Sequence, residues 1–159
     1  MKWITRERPK IDRIACPWLI ARFFDPAPEF LYVPAERVLA EAERSGATPY
    51  DVPGAEFGHH GEHCSFDAFV ERYDLADPAL ARLALIVRAA DCGHPHTEPE
   101  AGGLLAISRG LSLTFEDDHA MLAQGMVLYD ALYAHCAGRA ARLPPPGMVR
   151  ARAAGRPGR

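Results

Sequence analysis

The run His59-His60-Gly61-Glu62-His63-Cys64 places imidazole, carboxylate and thiol groups side by side, the donor types that hold a divalent transition metal such as zinc, iron or manganese. It is not the H-E-x-x-H zinc motif, in which two histidines one helical turn apart carry the glutamate directly after the first. Adjacent residues cannot all reach one ion. His60 and Glu62 are therefore expected to supply part of a metal site and other segments the rest; the alternative is a solvated polar loop.

Asp91 is the first candidate to complete that site. It continues the apolar stripe of a helix and so points inward, yet it falls in the last turn, where the helix dipole disfavours negative charge. A buried carboxylate there needs a cation, either a metal or an arginine. Asp117-Asp118-His119 opens a later helix. One aspartate serves as its cap, and His119 or Asp118 is a further candidate ligand. Cys16, beside Pro17, reads as a thiol at a helix N-terminus, where the dipole favours thiolate; that makes it the candidate nucleophile of a thiol-dependent reaction, or else a buried inert residue. Cys92-Gly93-His94-Pro95-His96 is a second His/Cys loop with soft-metal donors. Arg6, Arg8, Arg13 and Arg22 gather around the first strand and helix, and guanidinium forks suit oxyanions; Arg6, Arg13 and Arg22 are the expected oxyanion-binding set, with salt bridging to acids as the alternative.

These residues need elements to position them. Trp3-Ile4-Thr5 and Glu29 to Val33 read as strands, Pro49 to Val52 as a weaker one. Helices are expected over Asp12 to Phe24, from Pro34 to a stop at Gly46, from Ser65 as a cap, from Asp77-Pro78 to Gly93, after Pro99, and from about Asp117 through Cys136. The periodicity puts Leu39 and Ile107 on inward faces. Strands first and helices afterwards predict an α+β domain, a small sheet of three or four strands packed by several helices. Residues 1–138 are expected to form the folded body and 139–159 a flexible basic tail rich in proline, glycine and arginine, of which the part after about Arg142 is dispensable for folding.

Charge sharpens this division. The 159 residues carry 18 Lys and Arg against 21 Asp and Glu, and six of those arginines follow position 138, so the body holds 12 − 21 = −9. So acidic a body is a poor partner for nucleic acid. No apolar run approaches a membrane span, no secretory leader opens the chain, and the four cysteines form no C-x-x-C pair; a cytoplasmic location is expected. No glycine-rich nucleotide fingerprint is present, which weighs against a nicotinamide- or flavin-driven reductase.

Three stretches carry a resemblance. They are Arg6 to Asp25 (RERPKIDRIACPWLIARFFD), Pro53 to Phe69 (PGAEFGHHGEHCSFDAF) and Gly103 to Leu122 with its DDHAML ending. Over about residues 2 to 138 the chain resembles the C-terminal domain of the ChrB family of bacterial chromate-resistance proteins. The resemblance implies a part in the response to chromate stress and a site for chromate or a metal ion, at Arg6, Asp12, Arg13, Cys16, Arg22, His60 and Glu62. In that family the domain follows an N-terminal region or is joined to a rhodanese-like sulfurtransferase. Neither stands in these 159 residues, so a DNA-binding role seated there is not expected of them. The expected function is binding of a metal ion or oxyanion in chromate sensing or detoxification; the alternative is a metal- or thiol-dependent enzyme, a hydrolase or a chromate reductase.

Overall fold

A computed structural model describes residues 1–138; the expected basic tail and its dispensability lie outside them. The chain runs β1 (Lys2–Arg6), α1 (Asp12–Phe23), β2 (Glu29–Val33), a short 3₁₀ turn (Ala35–Arg37), α2 (Val38–Ser45), β3 (Thr48–Pro49), α3 (Ser65–Arg72), α4 (Pro78–Asp91), α5 (Ala101–Thr114) and α6 (Asp118–Ala137). Helix predominates in an α+β arrangement. The three strands pair in parallel in the order β2-β1-β3, with Trp3 opposite Phe30 and Thr48.

The pleat of β1 divides the interior. Trp3 and Ile4 are both fully buried but point to opposite faces, as successive strand residues must. Ile4 packs with Val38 and Ala42 of α2. Trp3 joins the larger core beside Phe57 and Phe69, whose rings stack at 4.1 Å. Leu39, expected inward, is 52% exposed, because only Val38 and Ala42 of α2 meet the sheet.

α1 runs through the centre of the larger core, against α3, α4 and α6. It buries residues on every side, including Cys16 and Pro17. α1 starts at Asp12 as its spacing predicts, and the placing of Cys16 at the helix N-terminus is corrected: it lies in the second turn with Pro17 inside the helix. Burial on all faces offsets the backbone hydrogen bond that an interior proline loses.

The tightest helix contact is between α1 and α6. A Cβ on Gly125 would stand 2.3 Å from Ile14 Cγ2, and β-branched Ile14 has little freedom to move aside. Gly125→Ala should therefore lower the melting temperature, since overpacking costs roughly 1–3 kcal/mol and outweighs the ~1 kcal/mol gain in helix propensity. Thermal denaturation checks this, an unchanged or higher melting temperature being the contrary result.

Three helix boundaries follow their sequence signals. Asp77 and Asp117 cap α4 and α6 by accepting backbone N–H groups, and Gly46 ends α2 in the left-handed conformation. α3 differs by one residue. Cys64, not Ser65, is its cap, with Asp67 accepting the Cys64 N–H at 3.0 Å, which frees the Ser65 hydroxyl for other work. On α5 only Ala101, Leu104 and Ser108 are buried, and Ile107 is 49% exposed rather than inward. No helix among the described residues is long and apolar enough to cross a membrane.

Candidate metal centre

The site begins with a strained residue. Ile11, immediately before α1, has φ 36° and ψ −97°, a conformation that a β-branched side chain resists. Its backbone is clamped on both sides: the N–H donates to Ser108 Oγ on α5 at 3.1 Å, and the Tyr129 hydroxyl on α6 donates to its carbonyl at 3.2 Å. The clamp fixes where α1 starts. Asp12, its first residue, is thereby turned into the interior with no exposed surface.

Asp12 Oδ2 accepts the Ser65 N–H at 2.6 Å, while the freed Ser65 hydroxyl donates to Asp51 Oδ1 at 3.1 Å. One residue at the start of α3 thus ties together two carboxylates from distant parts of the chain. Asp51 follows β3 with φ 51° and donates its N–H to the Phe57 carbonyl at 2.9 Å. The loop then folds back tightly at Gly58, where a Cβ would come within 2.9 Å of the Val52 carbonyl oxygen. That turn delivers His59. Its Nε2 lies 3.1 Å from Asp91 Oδ2, 3.3 Å from Asp51 Oδ1 and 3.6 Å from Asp12 Oδ2.

Two ligand sets share this imidazole. Asp12, Asp51 and His59 each offer an atom within 4.8 Å of the others, and so do His59, Asp91 and Cys92. The other oxygen of Asp12 is buried without a hydrogen-bond partner. An orphaned carboxylate oxygen in a fully buried side chain fits a cation ligand, since buried acceptors are otherwise paired.

The crowding of acidic groups around His59 shifts proton affinities in the cluster upward. Facing Asp12 first, and Asp91 and Asp51 after it, raises the His59 imidazole to about 9; at 3.6 Å the Asp12 contact is one of charge rather than a hydrogen bond. Burial first, then the Asp12 and Asp51 charges, pushes Asp91 up to about 7. Asp12 is raised too, chiefly by burial. Beside the cluster opens a cavity of about 330 Å³, lined by Arg6, Lys10, Arg13 and Arg109 as well as Asp51, His59 and Asp91. Arg6 Nη2 and Arg13 Nε stand 2.8 and 3.2 Å from Asp51 Oδ2.

Of the residues singled out from sequence, Asp91, Asp12, Arg6 and Arg13 meet here. His60 and Glu62 do not join the set around Asp91. Backbone bonds between His60 and His63, both 3.0 Å, close a turn at Gly61 that leaves His60, Glu62 and His63 exposed, with His60 Nε2 on the Glu56 carbonyl at 3.0 Å. His119 is exposed with its ring edge-on to Tyr32, and Asp118 accepts the Arg8 N–H at 3.0 Å. Arg22 forks onto Asp130 of α6 at 2.7 and 2.9 Å, and Arg8 donates to the Phe115 and Glu116 carbonyls at the end of α5. Both serve packing.

The reading of Cys16 as an accessible thiolate is corrected as well. The side chain is fully buried, and burial followed by the nearby Asp12 charge drives its thiol well above the ordinary range. Half-buried Cys92 and Cys136 should therefore alkylate in the native protein while Cys16 and Cys64 stay protected until it unfolds. Mass spectrometry of iodoacetamide-treated protein reads this order directly. Early labelling of Cys16 would mean that α1 opens.

His59 was read only as part of the histidine run, and Asp51, Lys10 and Arg109 were not picked out from sequence. The signal for Asp51 was its place just past a strand of a parallel sheet, where ligand-binding residues gather.

Comparison with known proteins agrees with the resemblance carried by these segments. The model of the ChrB C-terminal domain matches residues 3–136. The chain is 34% identical over 135 residues to Protein ChrB of Cupriavidus metallidurans, covering 84% of this chain but only 40% of that relative. No solved structure matches. On the match across nearly all the described residues, the chain belongs to the ChrB C-terminal domain family.

Proposed function

We propose that this domain is a chromate-resistance module that holds a divalent transition-metal ion, zinc, iron or manganese, on Asp12, Asp51, His59 and Asp91, and receives an oxyanion against the cationic wall beside it. One observation carries the reading: three carboxylates from separate segments face a single imidazole nitrogen at 3.1–3.6 Å. Like charges gathered in a sheltered place repel unless a cation joins them. Protons on His59 and Asp91 fill that role only partly, and an ion of charge two bound to oxygen and nitrogen donors fills it better.

The oxyanion follows from the wall. Arg6, Lys10, Arg13 and Arg109 place four cationic side chains around the cavity against the carboxylates of Asp51 and Asp91. A tetrahedral dianion of the chromate class suits guanidinium forks and completes the open coordination of a metal. Family membership supports chromate over other dianions, and the reading extends to sensing or detoxification within a longer protein. Binding is favoured over thiol-dependent catalysis because Cys16 is fully buried and its thiol resists ionisation.

Isothermal titration of the metal-free full chain with Zn²⁺ and Mn²⁺ tests the proposal. Saturable binding of a single ion is expected, with Asp91→Asn weakening it at least about tenfold. Absence of binding by either ion would refute it.

A further inference from the structure

We propose that Cys92 is a metal ligand which, with His59 and Asp91, forms a second and softer seat at the mouth of the cluster, so that thiophilic ions are taken through sulfur and hard ions through Asp12 and Asp51. This rests on the metal-binding reading above and adds to it a basis for choosing between metals.

Two ligand sets meet at His59. Asp12, Asp51 and His59 are oxygen-rich and reach into the interior, where Asp12 is fully buried with one oxygen lacking a hydrogen-bond partner. The second set replaces two carboxylates by Asp91 and a thiol, again with all ligand atoms within 4.8 Å of one another. Hard ions of the Mn²⁺ type favour the first set; Zn²⁺, Co²⁺ and Cd²⁺ favour nitrogen and sulfur. Because His59 belongs to both sets, an ion draws it toward whichever donors suit that ion.

Local structure gives Cys92 a reason to be where it is. α4 ends at Asp91, and Cys92 is its C-cap, its N–H donating to the Arg88 carbonyl at 2.8 Å. The chain then turns at Gly93, with φ 82°. Asp91 and Cys92 are consecutive, so a rigid helix end holds carboxylate and thiol as one unit. Arg88, the nearest cation on α4, is forked onto Asp67 at 2.7 and 2.8 Å and so is already paired. Cys92 is half-buried and forms no disulfide. Binding breaks the S–H bond, releases its proton to solvent and forms a sulfur–metal bond; no electrons change hands.

Cobalt substitution tests this on the full chain under reducing conditions. With Co²⁺ bound, the wild type should show the near-ultraviolet sulfur-to-cobalt charge-transfer band beside the visible cobalt bands, and Cys92→Ser should lose the former. The ratio of Cd²⁺ to Mn²⁺ affinity should fall at least about tenfold in Cys92→Ser. In the wild type, Zn²⁺ should protect Cys92 from alkylation better than saturating Mn²⁺ does, which needs no variant to fold. Visible cobalt bands without charge transfer would overturn this inference and leave the metal-binding reading standing. Charge transfer that persists in a folded Cys92→Ser would assign another thiol and overturn it too. No cobalt spectrum at all would overturn both.

Discussion

Raising the pH from about 6 to about 9.5 should lower the melting temperature of the metal-free protein by roughly 5–10 °C, given ~2–4 °C per kcal/mol for a chain of this size. The cause is the pair of groups whose protons are held more tightly in the fold than in the unfolded chain. Asp91 rises from 3.8 to about 7 through burial and the neighbouring carboxylates, and His59 from 6.5 to about 9 through Asp12, Asp91 and Asp51. For a raised group the native state binds more protons, so its stabilisation is complete below the unfolded value and lost as pH climbs through the folded one. Asp91 contributes its loss between about pH 4 and 7, and His59 between about 6.5 and 9. His59 is the more exposed of the two, so solvent screening reduces its share. Asp25 and Asp130 are shifted the other way and lose their contribution only toward acid, while above about pH 8.5 the buried Cys16 and Cys64 thiols, raised by burial, add to the alkaline decline.

Saturating divalent cation should reverse that slope. Coordination needs neutral imidazole and ionised carboxylates, so protons compete with metal and the stabilisation by bound ion grows from about pH 6 to 8. Thermal melts at several pH values, with and without Zn²⁺, read both effects. A metal-free melting temperature that stays flat or rises across the range would contradict the proton-held cluster.

Asp12→Asn should reduce Mn²⁺ affinity at least about 100-fold, equivalent to ~2.7 kcal/mol, while leaving the protein folded. An amide oxygen can still accept the Ser65 N–H that now reaches Asp12 Oδ2 at 2.6 Å, so the link to α3 survives. What disappears is a buried negative charge among like charges. The melting temperature should therefore move by only a few degrees, and the His59 imidazole should titrate lower once Asp12, the group that raises it most, is neutral. Titration calorimetry with a proton NMR titration of His59 checks both. Wild-type affinity in Asp12→Asn would remove Asp12 from the site.

Much of the architecture was legible because whole turns of helix carry the 3.6-residue pattern. β2, α1 and α4 follow their apolar spacing and their Pro, Asp and Gly signals to within a residue or two. β3 was barely visible; a strand of two residues is defined by pairing with β1, not by its own sequence. Asp91 was legible as an inward carboxylate at the wrong end of a helix. His59 rather than His60 lies beside Asp91 for a physical reason: neighbouring loop residues point apart, and which one turns toward the cluster depends on the Gly58 turn and the His60–His63 backbone pair. Pro17 suggested a first turn at Cys16 although the apolar spacing runs from Asp12, and the clamp on Ile11 by Ser108 and Tyr129 fixes the start at Asp12 and leaves Cys16 in the core. Those partners lie 97 and 118 residues away, beyond any local pattern.

The central claim is that Asp12, Asp51, His59 and Asp91 share one cation. Anomalous diffraction at the manganese edge from crystals of the full chain grown with Mn²⁺ tests it most directly. A strong peak within bonding distance of His59 Nε2 and the carboxylates around it is expected. A peak confined to exposed His60, His63 or the His94–His96 loop, or no peak in crystals grown with saturating Mn²⁺, would contradict it.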